Sequence, residues 1–150
     1  MKKFQFNLDK VLDYKGQILD SLRNEHAIVL EKVRRQEERL EQEQARYAQL
    51  NREFRQAEAE GITIAEAMRY ESGLRYLEGV IQRETRVLQQ LQEEAERKRK
   101  QVVQARQETA SLEKLKEKKH AAYLKGVQKS EELFIDELVS AARVMDSSAS

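Results

Sequence analysis

An all-α fold, a long antiparallel two-helix coiled-coil hairpin with the second helix longer than the first, is what three features of the sequence predict. Of the 150 residues 37% are charged and 39% hydrophobic, and Pro, Cys and Trp are absent. That composition suits long helices, which are rich in Ala, Glu, Lys, Arg, Gln and Leu and have no proline to break them; it does not suit a thick core. Apolar residues recur alternately every four and three positions over most of the length, and one strong turn signal divides the run in two.

Helix 1 is expected from about residue 7 to residue 60. Its seam runs through Leu8, Leu12, Lys15, Leu19, Leu22, His26, Val29, Val33, Gln36, Leu40, Glu43, Tyr47, Leu50, Phe54 and Ala57. Eleven of those fifteen are apolar, and a 3.5-residue repeat held over that many turns marks a coiled-coil seam rather than the wider stripe of a globular helix. The turn follows in "AEGITIAEAM". There Gly61 can adopt the left-handed conformation that ends a helix, and Thr63 with Glu66 spells a T-x-x-E capping box. A link of 61–63 favours an antiparallel neighbour.

Helix 2 is expected from 64 to about 144, with a frayed tail over 145–150, and the whole of 1–150 as a single coiled-coil domain. Its seam passes through Ala67, Tyr70, Leu74, Leu77, Ile81, Glu84, Leu88, Leu91, Ala95, Lys98, Val102, Ala105, Thr109 and Leu112. If residue i faces about 122 minus i, helix 1 gives out near Lys114. Helices of about 75 Å and about 120 Å, at roughly 1.5 Å per residue, leave about thirty residues of helix 2 without a partner. The run "SLEKLKEKKHAAY" (111–123) lies at that boundary, where its lysines read as a solvated collar. Phe4 and Phe6 are placed to pack near Leu115, Ala122 and Tyr123 and plug the open end.

Catalysis is not expected. A two-helix hairpin offers little concavity, and no Gly-rich phosphate loop, G-x-S-x-G or H-E-x-x-H occurs. His26 and His120 lie far apart, His26 falling opposite Ala95 or Glu96. Glu117 and His120 make an E-x-x-H pair, but the second copy and the two further glutamates of a di-iron bundle are missing. No catalytic, cofactor-binding or metal residue is therefore assigned. The polar seam residues Lys15, Gln36, Glu43, Glu84 and Lys98 read as register-setting.

Charges of both signs interleave to a net of +1. The clusters "ERKRK" and "KLKEKKH" have adjacent acids and no interleaved aromatics, so nucleic acid is not the expected partner. Nor does any apolar run suffice for a spanning helix. The start, "MKKFQFNLDK", lacks the apolar stretch of a secretory signal, and the compartment expected is the cytosol. Apolar residues beyond the hairpin's reach stand out instead. Tyr76, Leu77, Val80 and Ile81 spread over more than one face, with Gly73 and Gly79 baring backbone between them. Val127, Leu133, Phe134, Ile135, Leu138, Val139, Val144 and Met145 line the overhang. Such surface suits a partner's groove or ring.

Three segments, "FQFNLDKVLDYKGQ", "GITIAEAMRYESGLRYLEGVI" and "LEKLKEKKHAAY" followed by "SEELFIDEL", together resemble the FliJ family of flagellar type III export proteins. The resemblance spans nearly the whole chain. It implies an antiparallel coiled coil similar to the stalk of a rotary ATPase, serving motility and chemotaxis through flagellum biogenesis. Such a protein binds the hexameric flagellar export ATPase, promotes its assembly, links it to the cytoplasmic domain of the membrane-embedded export gate and handles export chaperones. It would be cytoplasmic and peripherally associated with the membrane at the flagellar base.

Aligned on Tyr70 and "LEGVI", the family's gate-binding face falls on Gly73, Leu77, Val80 and Glu84. The family carries an aromatic residue at the Gly73 position and a histidine at the Glu84 position, and this chain departs at both. By analogy with the rotary stalk, ring contacts would fall on Phe4, Phe6, Leu115, Lys116, Lys118, Lys119, Tyr123, Phe134 and Leu138. A homodimer that buries the overhang, as part of a self-associating scaffold, is the structural alternative, and a nucleic-acid-binding arm a further one.

Overall fold

A computed structural model describes residues 2–149. The fold is an all-α hairpin of two helices packed against each other, α1 (Asp9–Glu60) and the longer α2 (Ile64–Ala149), with no strand among the described residues. Phe4, Phe6 and Leu8 alternate in the sequence like a strand, but they stand ahead of α1 in non-helical backbone.

The turn forms where the residues require it. Gly61 takes φ 95°, a left-handed value that an L side chain rarely adopts, and its N–H donates to the Glu58 carbonyl at 3.3 Å. Two residues later the Glu66 N–H donates to Thr63 Oγ1 at 3.1 Å, while the Ala67 N–H reaches the Thr63 carbonyl at 3.0 Å. Thr63 thus satisfies one of the free donors that open α2, a bond usually worth about 1 kcal/mol.

The chain divides into two compact units, residues 20–103 and residues 1–19 with 104–150. Within the first, the seam positions of both helices are at least half-covered, and Val29 and Ala95 are buried. Close packing there rests on small residues of α2. A Cβ built on Gly73 would lie 2.9 Å from Leu50 Cδ2, so α1 presses a leucine into the space that the glycine leaves. Gly73 is therefore an internal contact of the hairpin, not backbone bared for another protein. Beside Gly79 only Arg83 Nη1 comes near, at 3.7 Å. Phe54 and Tyr70 pack at 5.2 Å between ring centroids, toward the turn.

Lys15, Gln36, Glu84 and Lys98 help fix the register, because each finds its partner across the hairpin, while Glu43 pairs one turn away on its own helix. Gln36, itself buried, donates through Nε2 to the Glu84 carbonyl at 3.0 Å and also to the Glu84 carboxylate. Arg39 approaches the same carboxylate at 3.7 Å. Lys98 pairs with Glu25 at 2.9 Å and Glu43 with Arg46 at 3.2 Å. His26 lies close enough to Glu96 to help lower its carboxyl pKa, after the larger effect of the Arg99 hydrogen bond. Among the described residues no buried side-chain nitrogen or oxygen lacks a hydrogen bond, so polar groups in the seam select one alignment without leaving an unpaired group behind.

In the other unit Leu19, Ala105 and Thr109 are buried, the Thr109 hydroxyl donating to the Ala105 carbonyl at 2.9 Å. Lys15 meets Glu108 at 2.9 Å, close to the pairing that the turn position predicts. α2 runs on to Ala149 rather than ending near Val144. The Ser147 and Ser148 hydroxyls donate to the Val144 and Met145 carbonyls, both at 2.9 Å.

Candidate partner interface

The segment 2–8 is built onto α2 by its aromatic residues. The Asp9 N–H donates to the Phe6 carbonyl at 3.1 Å and the Leu12 N–H to the Leu8 carbonyl at 2.8 Å, which starts α1. Phe6 is only 7% exposed. Phe4 meets the His120 ring edge-on at 4.8 Å between centroids and Tyr123 at 5.5 Å. The Tyr123 hydroxyl donates to the Lys2 carbonyl at 2.6 Å, and Lys116 bonds Asp9 at 2.7 Å. Phe4, Leu12, Lys116 and His120 line an open depression of about 550 Å³.

These contacts change the expected picture of this end. Phe4 and Phe6 do plug it, Phe6 buried and Phe4 against the expected Tyr123 but also against His120, rather than near Leu115 and Ala122. Leu115 stays 36% exposed and Ala122 is exposed. The reason is register: Lys116 and Tyr123 continue the seam of Thr109 and Leu112, whereas Leu115 lies about 100° off that line on an α-helix. Lys116 is likewise not part of a freely solvated collar, since it holds Asp9. Lys118 and Lys119 are exposed. Of the E-x-x-H pair, His120 contributes packing through its T-shaped contact with the Phe4 ring. Among the described residues no group of three or more His, Asp or Glu is placed to hold a metal.

Segment 2–8 lengthens the cover on α2 beyond the first residue of α1. Val127 is still half-covered, and from 128 to 148 every residue is exposed, so the bare part of α2 is shorter than the thirty residues expected. Along it Val127, Phe134, Leu138 and Met145 fall on one face at helical spacing, a continuation of the seam line through Lys116 and Tyr123. Phe134 is 61% and Leu138 54% exposed. Glu131 flanks this stripe on one side and Glu137 on the other.

In the unit of residues 20–103, the four residues of early α2 separate into two groups. Gly73 and Glu84 are committed to α1, through Leu50 and through Gln36 with Arg39. Leu77 and Val80 are half-covered, and Leu77 opens onto a groove shared with Ala45, Gln49, Leu50 and Glu53. Tyr76, at 68%, is the most exposed large hydrophobic residue between Gly73 and Glu84. The basic run at 96–100 is partly consumed by ion pairs, Lys98 with Glu25 and Arg99 with Glu96 at 2.7 Å.

Sequence reasoning missed the roles of His120 and Asp9. The signal for His120 was present in its i, i+3 spacing to Tyr123 beside an aromatic-rich start. The Asp9–Lys116 pair lies about one turn beyond Glu113, the residue that the expected register sets opposite Asp9.

Two long helices packed against each other, with apolar surface left exposed on the longer one, define the class as an all-α helical hairpin. The family comparison is specific: the chain belongs to the flagellar FliJ protein family, which matches over residues 4–145. It is therefore a flagellar export-associated protein. Comparison with curated proteins and with solved structures yields no match. Among the described residues, no helix is long and apolar enough to cross a membrane.

Proposed function

We propose that this chain is a non-enzymatic stalk of the flagellar export apparatus, cytoplasmic and peripheral to the membrane, that binds the hexameric export ATPase and promotes its assembly and activity. The observation that supports this reading is the continuation of α2 past its partner, with Phe134 and Leu138 on an uncovered apolar stripe. An amphipathic helix of this kind suits an apolar surface in a ring or groove. Tyr123, Phe134 and Leu138 are the proposed ring contacts, with Lys118 and Lys119 at the edge. Phe4 and Phe6 act through the packing of the end rather than as free contact residues. Leu77 and Val80, with exposed Tyr76 beside them, are the proposed contacts to the export gate. Export chaperones are a further class of partner.

The test is capture of the purified export ATPase together with its hydrolysis rate with and without this protein. Phe134→Ala and Leu138→Ala together should weaken capture at least tenfold while the far-ultraviolet dichroism stays unchanged. Equal capture by the double variant would remove the stripe from the proposal. The same stripe would also suit a second copy of the chain. Sedimentation that stays monomeric up to high concentration excludes that reading.

A further inference from the structure

Segment 2–8 and a docking partner would compete for the same line of α2. The stripe proposed for the ring, through Tyr123, Val127, Phe134 and Leu138, is the outward extension of the seam. Its first two turns, from Lys116 to Tyr123, are already partly occupied: Lys116 and Tyr123 are half-covered, and His120 carries the Phe4 ring while staying exposed. Apart from the Asp9 carboxylate on Lys116, what occupies them is not helix α1 but the non-helical residues before it. These lie along α2 through the Phe4 ring on His120 and Tyr123 and one hydrogen bond, from the Tyr123 hydroxyl to the Lys2 carbonyl, with Phe6 buried between Phe4 and the start of α1 in the sequence.

No backbone ladder holds the segment. Its only backbone bonds outside the helices are those that start α1, and Lys2, Lys3, Gln5, Asn7 and Leu8 are exposed. A short stretch held by a few side chains opens locally at far less cost than the paired helices.

We infer that residues 2–8 form a displaceable strap: they cover the first two turns of the α2 stripe, and a partner seated on the bare part gains those turns by lifting the strap from His120 and Tyr123. The length gained is about 10 Å of helix, seven residues at about 1.5 Å each. It brings the Tyr123 and His120 rings into the contact. While the strap is closed, the partner's affinity is reduced by the fraction of molecules in which it is open. The identity of the partner rests on the stalk reading; the strap itself does not.

The inference reverses the sign expected at Phe4. If Phe4 were a contact residue, Phe4→Ala would weaken binding to the ATPase. As part of a strap, its removal strengthens binding. Tyr123→Phe keeps the ring and deletes only the bond to Lys2, and should raise the open population and the affinity by about two- to tenfold, as expected for one hydrogen bond. The chain has no cysteine, so Phe4→Cys with His120→Cys can be bridged by a short bifunctional thiol reagent to hold the strap shut.

Three measurements on the full chain test it. Binding of the dye anilinonaphthalene sulfonate, which needs no partner, should rise in Phe4→Ala and Tyr123→Phe and fall in the bridged variant below its unbridged form. Affinity for the export ATPase should follow the same order. Circular dichroism should show the hairpin intact in every variant. Dye binding unchanged across the series overturns the strap, as does weaker ATPase binding by Phe4→Ala with no effect of the bridge. Dye binding that follows the order while no variant binds the ATPase keeps the strap and overturns the stalk reading.

Discussion

Gly73 and Gly79 lie two turns apart on α2, and alanine at the two positions should have opposite consequences. Glycine in a helix interior costs roughly 0.5–1 kcal/mol relative to alanine. At Gly79 that gain is free to appear, because the new Cβ would meet only Arg83 Nη1 at an ordinary 3.7 Å. Gly79→Ala should therefore stabilise by about 1 kcal/mol and raise Tm by roughly 2–4 °C for a chain of this size. At Gly73 the Cβ would stand 2.9 Å from Leu50 Cδ2, well inside the optimum of about 3.5–4.0 Å for two carbons.

Leu50 can rotate away, but only by giving up its seat against α2, and overpacking of this kind costs about 1–3 kcal/mol. The net effect runs from zero to a loss of about 2 kcal/mol, so the two variants should differ by about 1–3 kcal/mol. Urea unfolding followed by dichroism at equal protein concentration measures it. Adding Leu50→Ala should then make Gly73→Ala favourable, a coupling that a double-mutant cycle isolates. If Gly73→Ala stabilises as much as Gly79→Ala, the close approach of α1 is wrong.

Other substitutions read out single features. Thr63→Ala removes the acceptor for the Glu66 N–H and should lower stability by about 1 kcal/mol, while Thr63→Ser should leave it within a few tenths of the starting value. On the exposed surface of α1 the Arg34 guanidinium bonds Glu31 and, with Arg35, holds its carboxyl down at about 2 from an ordinary 4.5. The folded pKa is depressed, so the pair's contribution is complete above pH 4.5 and is lost as pH falls toward 2. Carboxyl titration by NMR should give a midpoint near 2 for Glu31, and Arg34→Gln should return it most of the way to 4.5. Glu108 is lowered in the same sense, first by its hydrogen bond from Lys15; Lys15→Met should raise its midpoint.

The hairpin was legible because its determinants are local or periodic. A 3.5-residue repeat needs no knowledge of the partner, and Gly61 with Thr63 marks the turn by backbone conformation and capping alone. Once the turn was placed, the pairing of Lys15 with Glu108 followed by counting. The partner surfaces were less legible because a side chain's role there depends on which neighbour reaches it first. Glu84 looks available in the sequence but is taken by Gln36 and Arg39, and Gly73 looks bare but receives Leu50. Segment 2–8 carries no helical period from which its path could be read. That path is set by where Phe4 and Phe6 find apolar surface, and it leaves Leu115 outside.

The lysines at 114–119 illustrate the same point and can be separated by experiment. Lys116 is bound to Asp9 at 2.7 Å, with both side chains about half exposed, and such a pair is worth about 0.2–1 kcal/mol. Lys116→Glu sets two negative charges against each other where α1 begins, so it acts on the hairpin's own end before it acts on any partner. Lys118 and Lys119 are exposed, so reversing both tests partner attraction with little effect on the fold. If an acidic surface on the ATPase attracts this region, Lys118→Glu with Lys119→Glu should slow association several-fold at low salt, with the effect fading as ionic strength rises. Lys116→Glu alone should be repaired by Asp9→Lys, which restores the pair in reverse. Repair of binding by that swap would show that Lys116 serves through the hairpin's end; failure of the swap, with unfolding unchanged, would place Lys116 in the contact itself.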